Sequence, residues 1–295
     1  MTQKVKTKNY SVPDTVKGFI GVFDSGFGGL EILREIVKVL PQYDFVYLGD
    51  SLRAPYGDRS QKQIYQFTKQ AIDYLFRVGA EIIILACNTA SSEALRKIQQ
   101  EHLPNHWFSK RVLGVIVPVS EAAVALGAKQ VGVIGTKSMI ASGAFSRELK
   151  KLNSKIQVFQ QACPLLVPLI EAGKENSKEM ESILKKYLKF IEVEPPENAE
   201  VQPLKIDALI LGCTHYGLLE KQIKKIVGPK VKVVSEGRIV AGKLKDYLLR
   251  HPEIENKIRK SRKIKFLTTG KLKKFKALGG RFFQREIFPK KIDLN

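Results

Sequence analysis

The chain has 295 residues, 44% of them hydrophobic, which is ample for packed cores and fits two medium domains better than one very large one. Its 50 Lys and Arg against 29 Asp and Glu leave a formal net charge of +21, which attracts polyanions but equally describes a solvated surface that repels its own copies. Three cysteines without a CxxC pair argue against a disulfide scaffold, and no apolar stretch reaches signal-peptide or bilayer-spanning length, so a soluble, cytoplasmic protein is the expectation.

Residues 1–17 read as a polar extension. From Gly18, "GFIGVFDSGFGGLEILREIVKVLP" runs from a short buried strand through a glycine-rich turn into a helix with Leu30, Leu33, Ile36, Val37 and Leu40 on one face. "FVYLGD" is a second strand, ending at Asp50 before the loop "SLRAPYGDRS". Ile64, Phe67, Ala71 and Leu75 line a helix that Gly79 can terminate, and "EIIILACNTA" leads into another. Strands separated by helices of this length point to a parallel sheet covered on both faces.

The same grammar then repeats. "RVLGVIVPVSEAAVALG", "QVGVIGTKSMIASGAFSRELKKL" and "QACPLLVPLIEAG" each read as strand then helix, as does "DALILGCTHYG" with the helix after it. Ile183, Leu184, Tyr187, Leu188 and Ile191 mark a helix ended by the surface excursion "EVEPPENAE". The basic runs from Lys221, Lys257 and Lys271 read as outer faces of amphipathic helices. "VGVIGT" opens the second series as "IGVFDS" opens the first, and a cysteine strand comes later in each, at "ACNTAS" and "GCTHYG". The fold class is therefore α/β with two related halves, and the strand-end loops carrying Asp24, Cys87, Thr136 and Cys213 face one cleft.

A single buried cysteine is ordinarily a core residue, and Cys163, without polar neighbours, reads that way. The pair Cys87 and Cys213 differs: each follows an apolar run, has a threonine within two residues, and stands where a helix dipole is expected to lower the thiol pKa. Asn88, Thr89 and Thr214 add donors suited to a carboxylate. His215 is placed to assist Cys213, and Asp24 the other thiol. Two thiols facing one substrate carbon can exchange its proton between faces and invert it without metal or Schiff base. A single catalytic cysteine would instead suggest acyl transfer, with only His215 as base. Dinucleotide and P-loop readings fail because Glu31 stands at the third glycine of G-x-G-x-x-G and Thr136 precedes Lys137. His102, His106 and His251 read as solvated loop residues, and no His or Cys pair has metal-ligand spacing.

With "GVFDSGFGGL", "YLGDSLRAPYG", "ACNTAS", "VGVIGTKSMIASGAF", "ACPLLVPLIEAG" and "LILGCTHYGLL" in that order, and a weaker "FLTTG" later, the chain resembles the cofactor-independent glutamate racemases of the aspartate/glutamate racemase superfamily. The resemblance implies two pseudo-symmetric domains, each a mainly parallel sheet flanked by helices, with the active site in the cleft between them. Residues 18–112, completed by 228–295, would form the first and 113–227 the second. It implies interconversion of L- and D-glutamate, with D-glutamate supplied for peptidoglycan. Cys87 would abstract the proton of D-glutamate and Cys213 that of L-glutamate. Asp24, His215 and Glu171 would assist them, and Ser25, Pro55, Tyr56, Gly57, Asn88, Thr89, Thr136 and Thr214 would join Asp24, Cys87, Cys213 and His215 in holding the substrate. No cofactor or metal is implied, and a homodimer is compatible. The chain departs from the pattern at Val117, Val119, Gly217 and the Ser235-Glu236-Gly237 stretch. Alternatives are a racemase for aspartate or a related acid, or a basic nucleic-acid-binding or regulatory protein; the latter rests on charge alone, without the interleaved aromatics of a base-stacking surface.

Overall fold

The computed structural model describes residues 17–189, 192–193 and 204–294, so the polar extension lies outside it apart from Lys17, as do Ile191 and residues 194–200 of the acidic excursion. In chain order the strands are β1 (Phe19–Asp24), β2 (Phe45–Gly49), β3 (Ala80–Leu85) and β4 (Arg111–Gly114), then β5 (Gln130–Gly135) and β6 (Gln157–Ala162). A short pair comes next, β7 (Glu192–Val193) and β8 (Leu204–Lys205), and then β9 (Ala208–Gly212), β10 (Lys232–Val234), β11 (Ile264–Thr268) and β12 (Pro289–Lys291). β1 and β9 are buried along their whole length, as continuous apolar runs must be when helices cover both faces of a parallel sheet.

The first sheet has the order β12-β11-β2-β1-β3-β4 and the second β10-β9-β5-β6, and every pairing in both is parallel. β2-β1-β3-β4 of the first therefore matches β6-β5-β9-β10 of the second, strand for strand. The internal echo of the sequence is a topological repeat. In each sheet the opening strand, β1 or β5, has its next strand on one side and its cysteine strand on the other, and this reversal of strand order makes a crevice at the carboxyl ends.

The repeat also fixes where the chain changes sheets. β4 pairs with β3, so "RVLG" belongs to the first sheet although "VPVSEAAVALG" leads into the second. β10 pairs with β9, so the chain returns to the first sheet only after Val234, with β11 and β12 added beyond β2. The helices Gly29–Val39 and Glu236–Arg250 pack on each other, and one continuous apolar core runs from Leu30 and Ile36 through Val119 and Ala123 to Ile134 and Leu211. No helix among the described residues is long and apolar enough to cross a membrane.

Two readings require correction. The basic run from Lys257 is not a helix: it is loop from the bridge at Ile258 until β11 begins at Ile264, because the chain there has to pass from the preceding helix Pro252–Glu255 into its place in the sheet beside β2. The runs from Lys221 and Lys271 do fall on helices, Glu220–Val227 and Leu272–Phe283. His102 is not solvated but 3% exposed. Its Nε2 lies 2.6 Å from Asp73 Oδ1, where the Trp107 indole also donates at 2.7 Å, while Lys69 reaches Oδ2 at 2.9 Å. Burial pushes the Asp73 carboxyl up, but these partners outweigh it and hold the group below its ordinary range.

Asp73→Ala is therefore expected to cost about 2–3 kcal/mol of unfolding free energy, since it orphans a buried imidazole and an indole together. For a carboxyl depressed by folding, that stability is complete above the unfolded-state pKa and lost as pH falls through the folded one. Denaturant titration of wild type and variant at neutral pH and below about pH 4 checks it: the difference should shrink in acid.

Candidate active site

The loops at the carboxyl ends of β1, β3, β5 and β9 meet over one narrow cleft. Cys87 leaves β3 in extended conformation (φ −66°, ψ 118°) and caps the helix Asn88–Glu93, its sulfur accepting the Ala90 N–H at 3.5 Å and its thiol donating to Ser25 Oγ at 3.4 Å. Thr136 holds the corresponding place after β5. It caps the helix Lys137–Ser142 by accepting the Met139 N–H at 3.3 Å, and its hydroxyl meets Thr89 Oγ1 at 3.0 Å, joining the two halves across the cleft.

Cys213 comes directly after β9 and, like Cys87, lines the cleft. Its sulfur is 4.0 Å from His215 Nδ1, and the other ring nitrogen, Nε2, faces Glu171 Oε1 at 3.5 Å, an ion-pair separation without hydrogen-bond alignment. Lys274 holds the second Glu171 oxygen at 3.0 Å. A chain of contacts Lys274–Glu171–His215–Cys213 therefore backs one thiol. Asp24 lies below the cleft, fully buried, accepting the Gly26 N–H at 2.8 Å and the Thr214 hydroxyl at 3.4 Å. It ties the first glycine-rich turn to the loop that carries Cys213.

The wall formed by residues 54–57 is held from beneath. Asp50, fully buried, accepts the Tyr56 hydroxyl at 2.6 Å, Arg53 Nε at 2.6 Å and the Thr269 hydroxyl at 2.8 Å. Thr269 Oγ1 also accepts the Leu52 N–H at 3.1 Å. The return of the C-terminal segment as β11 thus gives the Pro55-Tyr56-Gly57 loop its floor.

The electrostatics reverse one expectation. Burial pushes the Cys87 thiol up to about 12, with the Asp24 charge adding to it against the bonds from Ser25 and Ala90. Burial likewise holds Cys213 well above the usual thiol range, and negative charge on Cys87, Glu236 and Asp24 acts in the same direction. A helix of six residues supplies a short dipole, and its contribution at a desolvated sulfur is smaller than the cost of charging it. Both thiols therefore carry protons until a cation is brought beside them. Asp24 is raised by burial despite His215 and its own hydrogen bonds, whereas Glu171, also opposed by burial, is held down by His215 and Lys274. The two carboxyls of the site are thus shifted in opposite directions, Asp24 up and Glu171 down.

A model of Asp/Glu/hydantoin racemases matches residues 20–243, most of the chain and both thiol loops. The chain belongs to this family. Within it, the chain is 39% identical over 279 residues to a glutamate racemase of Ruegeria pomeroyi, covering 91% of this chain and 97% of the relative. It is 36% identical over 272 residues to one of Bacillus cereus, covering 91% and 94%. Among solved structures, glutamate racemase from Francisella tularensis in complex with D-glutamate superposes with a TM-score of 0.81 at 32% identity, covering 96% of this chain and 99% of that one.

Of the residues read from the sequence as site residues of this racemase family, Ser25, Pro55, Tyr56, Gly57, Cys87, Asn88, Thr89, Thr136, Glu171, Cys213, Thr214 and His215 all line the cleft. Asp24 alone stands behind it. Gly26, Ala54 and Val167 also line it; they sit inside the quoted motifs but carry no chemistry that would have singled them out. Lys274 had no signal at all, since 103 residues separate it from the Glu171 it pairs with. Cys163 is fully buried in the core and its sulfur is directed to the Gln161 carbonyl at 3.6 Å, as a structural thiol would be.

Proposed function

We propose that the chain is a glutamate racemase that interconverts L- and D-glutamate by proton transfer between two thiols. The reading is carried by one observation: Cys87 and Cys213, at equivalent strand ends of the two repeated sheets, border the same cleft. Family membership and relatives named glutamate racemase support the substrate, and one such relative was solved with D-glutamate bound. Aspartate and nucleic acid are not favoured by any of these findings. The reaction is an isomerisation, and its product, D-glutamate, supplies peptidoglycan synthesis in the cytoplasm.

The mechanism rests on the groups present. Glutamate brings an ammonium group, whose positive charge offsets the desolvation that keeps the thiols protonated, so that one can act as thiolate. Cys213 as thiolate takes the α-proton of L-glutamate, the electron pair spreading into the α-carboxylate, and the Cys87 thiol returns a proton to the opposite face; D-glutamate reacts in reverse. His215, held by Glu171, exchanges the proton of Cys213, and Asp24 serves the Cys87 side. The hydroxyls of Thr89, Thr136 and Thr214, with Ser25 and Asn88, hold the substrate's carboxylates and amine against the Pro55-Tyr56-Gly57 wall. The two units bounding this cleft are read as residues 18–112, completed by 228–295, and 113–227, with β4 carrying the first sheet on to Gly114 and β10 the second on to Val234.

Circular dichroism of purified protein with each glutamate enantiomer tests the reading. Both signals are expected to decay to zero, and aspartate is expected to turn over at least ~100-fold more slowly, as a missing methylene misplaces the distal carboxylate. Decay with aspartate but not with glutamate would overturn the substrate.

A further inference from the structure

Glu236 begins the helix Glu236–Arg250, a place where a carboxylate normally reaches solvent, yet it is 3% exposed and neither carboxylate oxygen has a hydrogen-bond partner. Its surroundings suit an anion poorly. Glu31 of the helix Gly29–Val39, Asp24 below the cleft and the Cys213 thiol lie close enough for their charges to act on it or for its charge to act on them. Burial above all, with Glu31 and Asp24 adding to it, holds the carboxyl well above its ordinary range. A buried carboxyl without a partner needs a polar group to pair with.

One polar neighbour is suited to pair with it. Asn88 approaches Glu236 closely enough to favour its charged form, and both amide atoms of Asn88, Oδ1 and Nδ2, are buried without an aligned partner. Asn88 borders the cleft between Cys87 and Thr89, and Glu236 stands outside the lining. Two buried groups with complementary capacity, each unsatisfied, sit one behind the other at the wall of the site.

We propose that Glu236 is a positioning residue for Asn88: the two buried side chains, neighbours with no other polar partner, pair behind the cleft wall and so fix which way the Asn88 amide faces the substrate. The inference rests on reading the cleft as a glutamate site. It assigns a role to an acidic side chain that the sequence marks only as a departure from the family's pattern.

Steady-state kinetics of Glu236→Ala, Glu236→Met, Glu236→Gln, Asn88→Ala and the Glu236→Ala/Asn88→Ala double variant test it. Ala and Met at 236 are expected to raise KM for glutamate about tenfold with a smaller change in kcat, and Gln, which keeps a side chain of the same shape able to pair with the amide, to stay within about twofold of wild type. Met fills the space of the removed side chain, so equal losses in Ala and Met variants separate the hydrogen bond from a cavity. In the Asn88→Ala background the Glu236→Ala change is expected to add less than about twofold, because its effect passes through the missing amide. A tenfold loss in both backgrounds, a Gln variant as impaired as Ala, or an unchanged KM in a Met variant that melts with wild type would each overturn the proposal. Wild-type protein that racemises no glutamate would overturn the substrate reading, and that control is read before any variant.

Discussion

Replacing Cys87 or Cys213 by Ala is expected to lower glutamate racemisation by about 10⁴-fold, since each removes an acid/base group that acts in every turnover. The two losses differ in what survives. With Cys87→Ala, Cys213 still faces the α-hydrogen of L-glutamate, so exchange of that hydrogen for solvent deuterium without inversion is expected to persist, and Cys213→Ala should retain exchange in D-glutamate instead. Proton NMR in D₂O reads both. The asymmetry of the surroundings adds a further expectation: Cys213 has His215 at 4.0 Å to carry its proton, whereas Cys87 has the hydroxyl of Ser25 at 3.4 Å. The surviving exchange should therefore be faster in Cys87→Ala than in Cys213→Ala. Racemisation at the wild-type rate by the Cys87→Ala/Cys213→Ala double variant would remove the thiol mechanism altogether.

Gly28→Ala is expected to lower kcat/KM by about 100-fold, although the residue carries no chemistry and lies outside the cleft lining. Its backbone is ordinary, φ −61° and ψ −36°, so conformation does not require glycine there. Space does: a Cβ would stand 2.3 Å from Thr214 Oγ1 and 2.8 Å from His215 Nδ1. Thr214 is buried and bonded to Asp24, so it has little freedom to give way, and the glycine-rich turn and the Cys213 loop must separate. Overpacking of this kind costs about 1–3 kcal/mol of stability as well. Gly242→Ala, in the helix Glu236–Arg250 with nothing within 4 Å of its Cβ, is the contrasting control and is expected to raise stability by about 0.5–1 kcal/mol with activity unchanged. Kinetics and thermal melts of the two variants decide the matter; a Gly28→Ala enzyme with wild-type kcat/KM would mean that the two loops do not need this contact.

Legibility is high wherever chemistry and periodicity coincide. The strand-turn-helix grammar points to parallel sheets because runs such as "EIIIL" and "ALILG" bury on both faces, and the repeat of a cysteine strand points to two halves. It is low where long-range pairing decides. "RVLG" reads as the start of the second series, but its hydrogen bonds go to β3; the run from Lys257 has helical spacing, but the chain there must span from a helix into the sheet beside β2. His102 reads as solvated because its neighbours in sequence are polar, and it is buried because its ring turns onto Asp73, 29 residues earlier in the chain, which Trp107 also binds.

By itself the sequence determined which side chains the cleft presents, because a cysteine at the end of a buried parallel strand has only the carboxyl-end crevice to face. Their protonation was decided by the tertiary structure. Local sequence puts Cys87 at a helix start and so predicts a depressed thiol pKa, but desolvation is a sum over everything packed around the sulfur, and that sum exceeds the field of one short helix. The same holds for Glu236: a glutamate in the first turn of a helix is ordinarily a surface residue, and packing against the helix Gly29–Val39 buries it and pushes its carboxyl up.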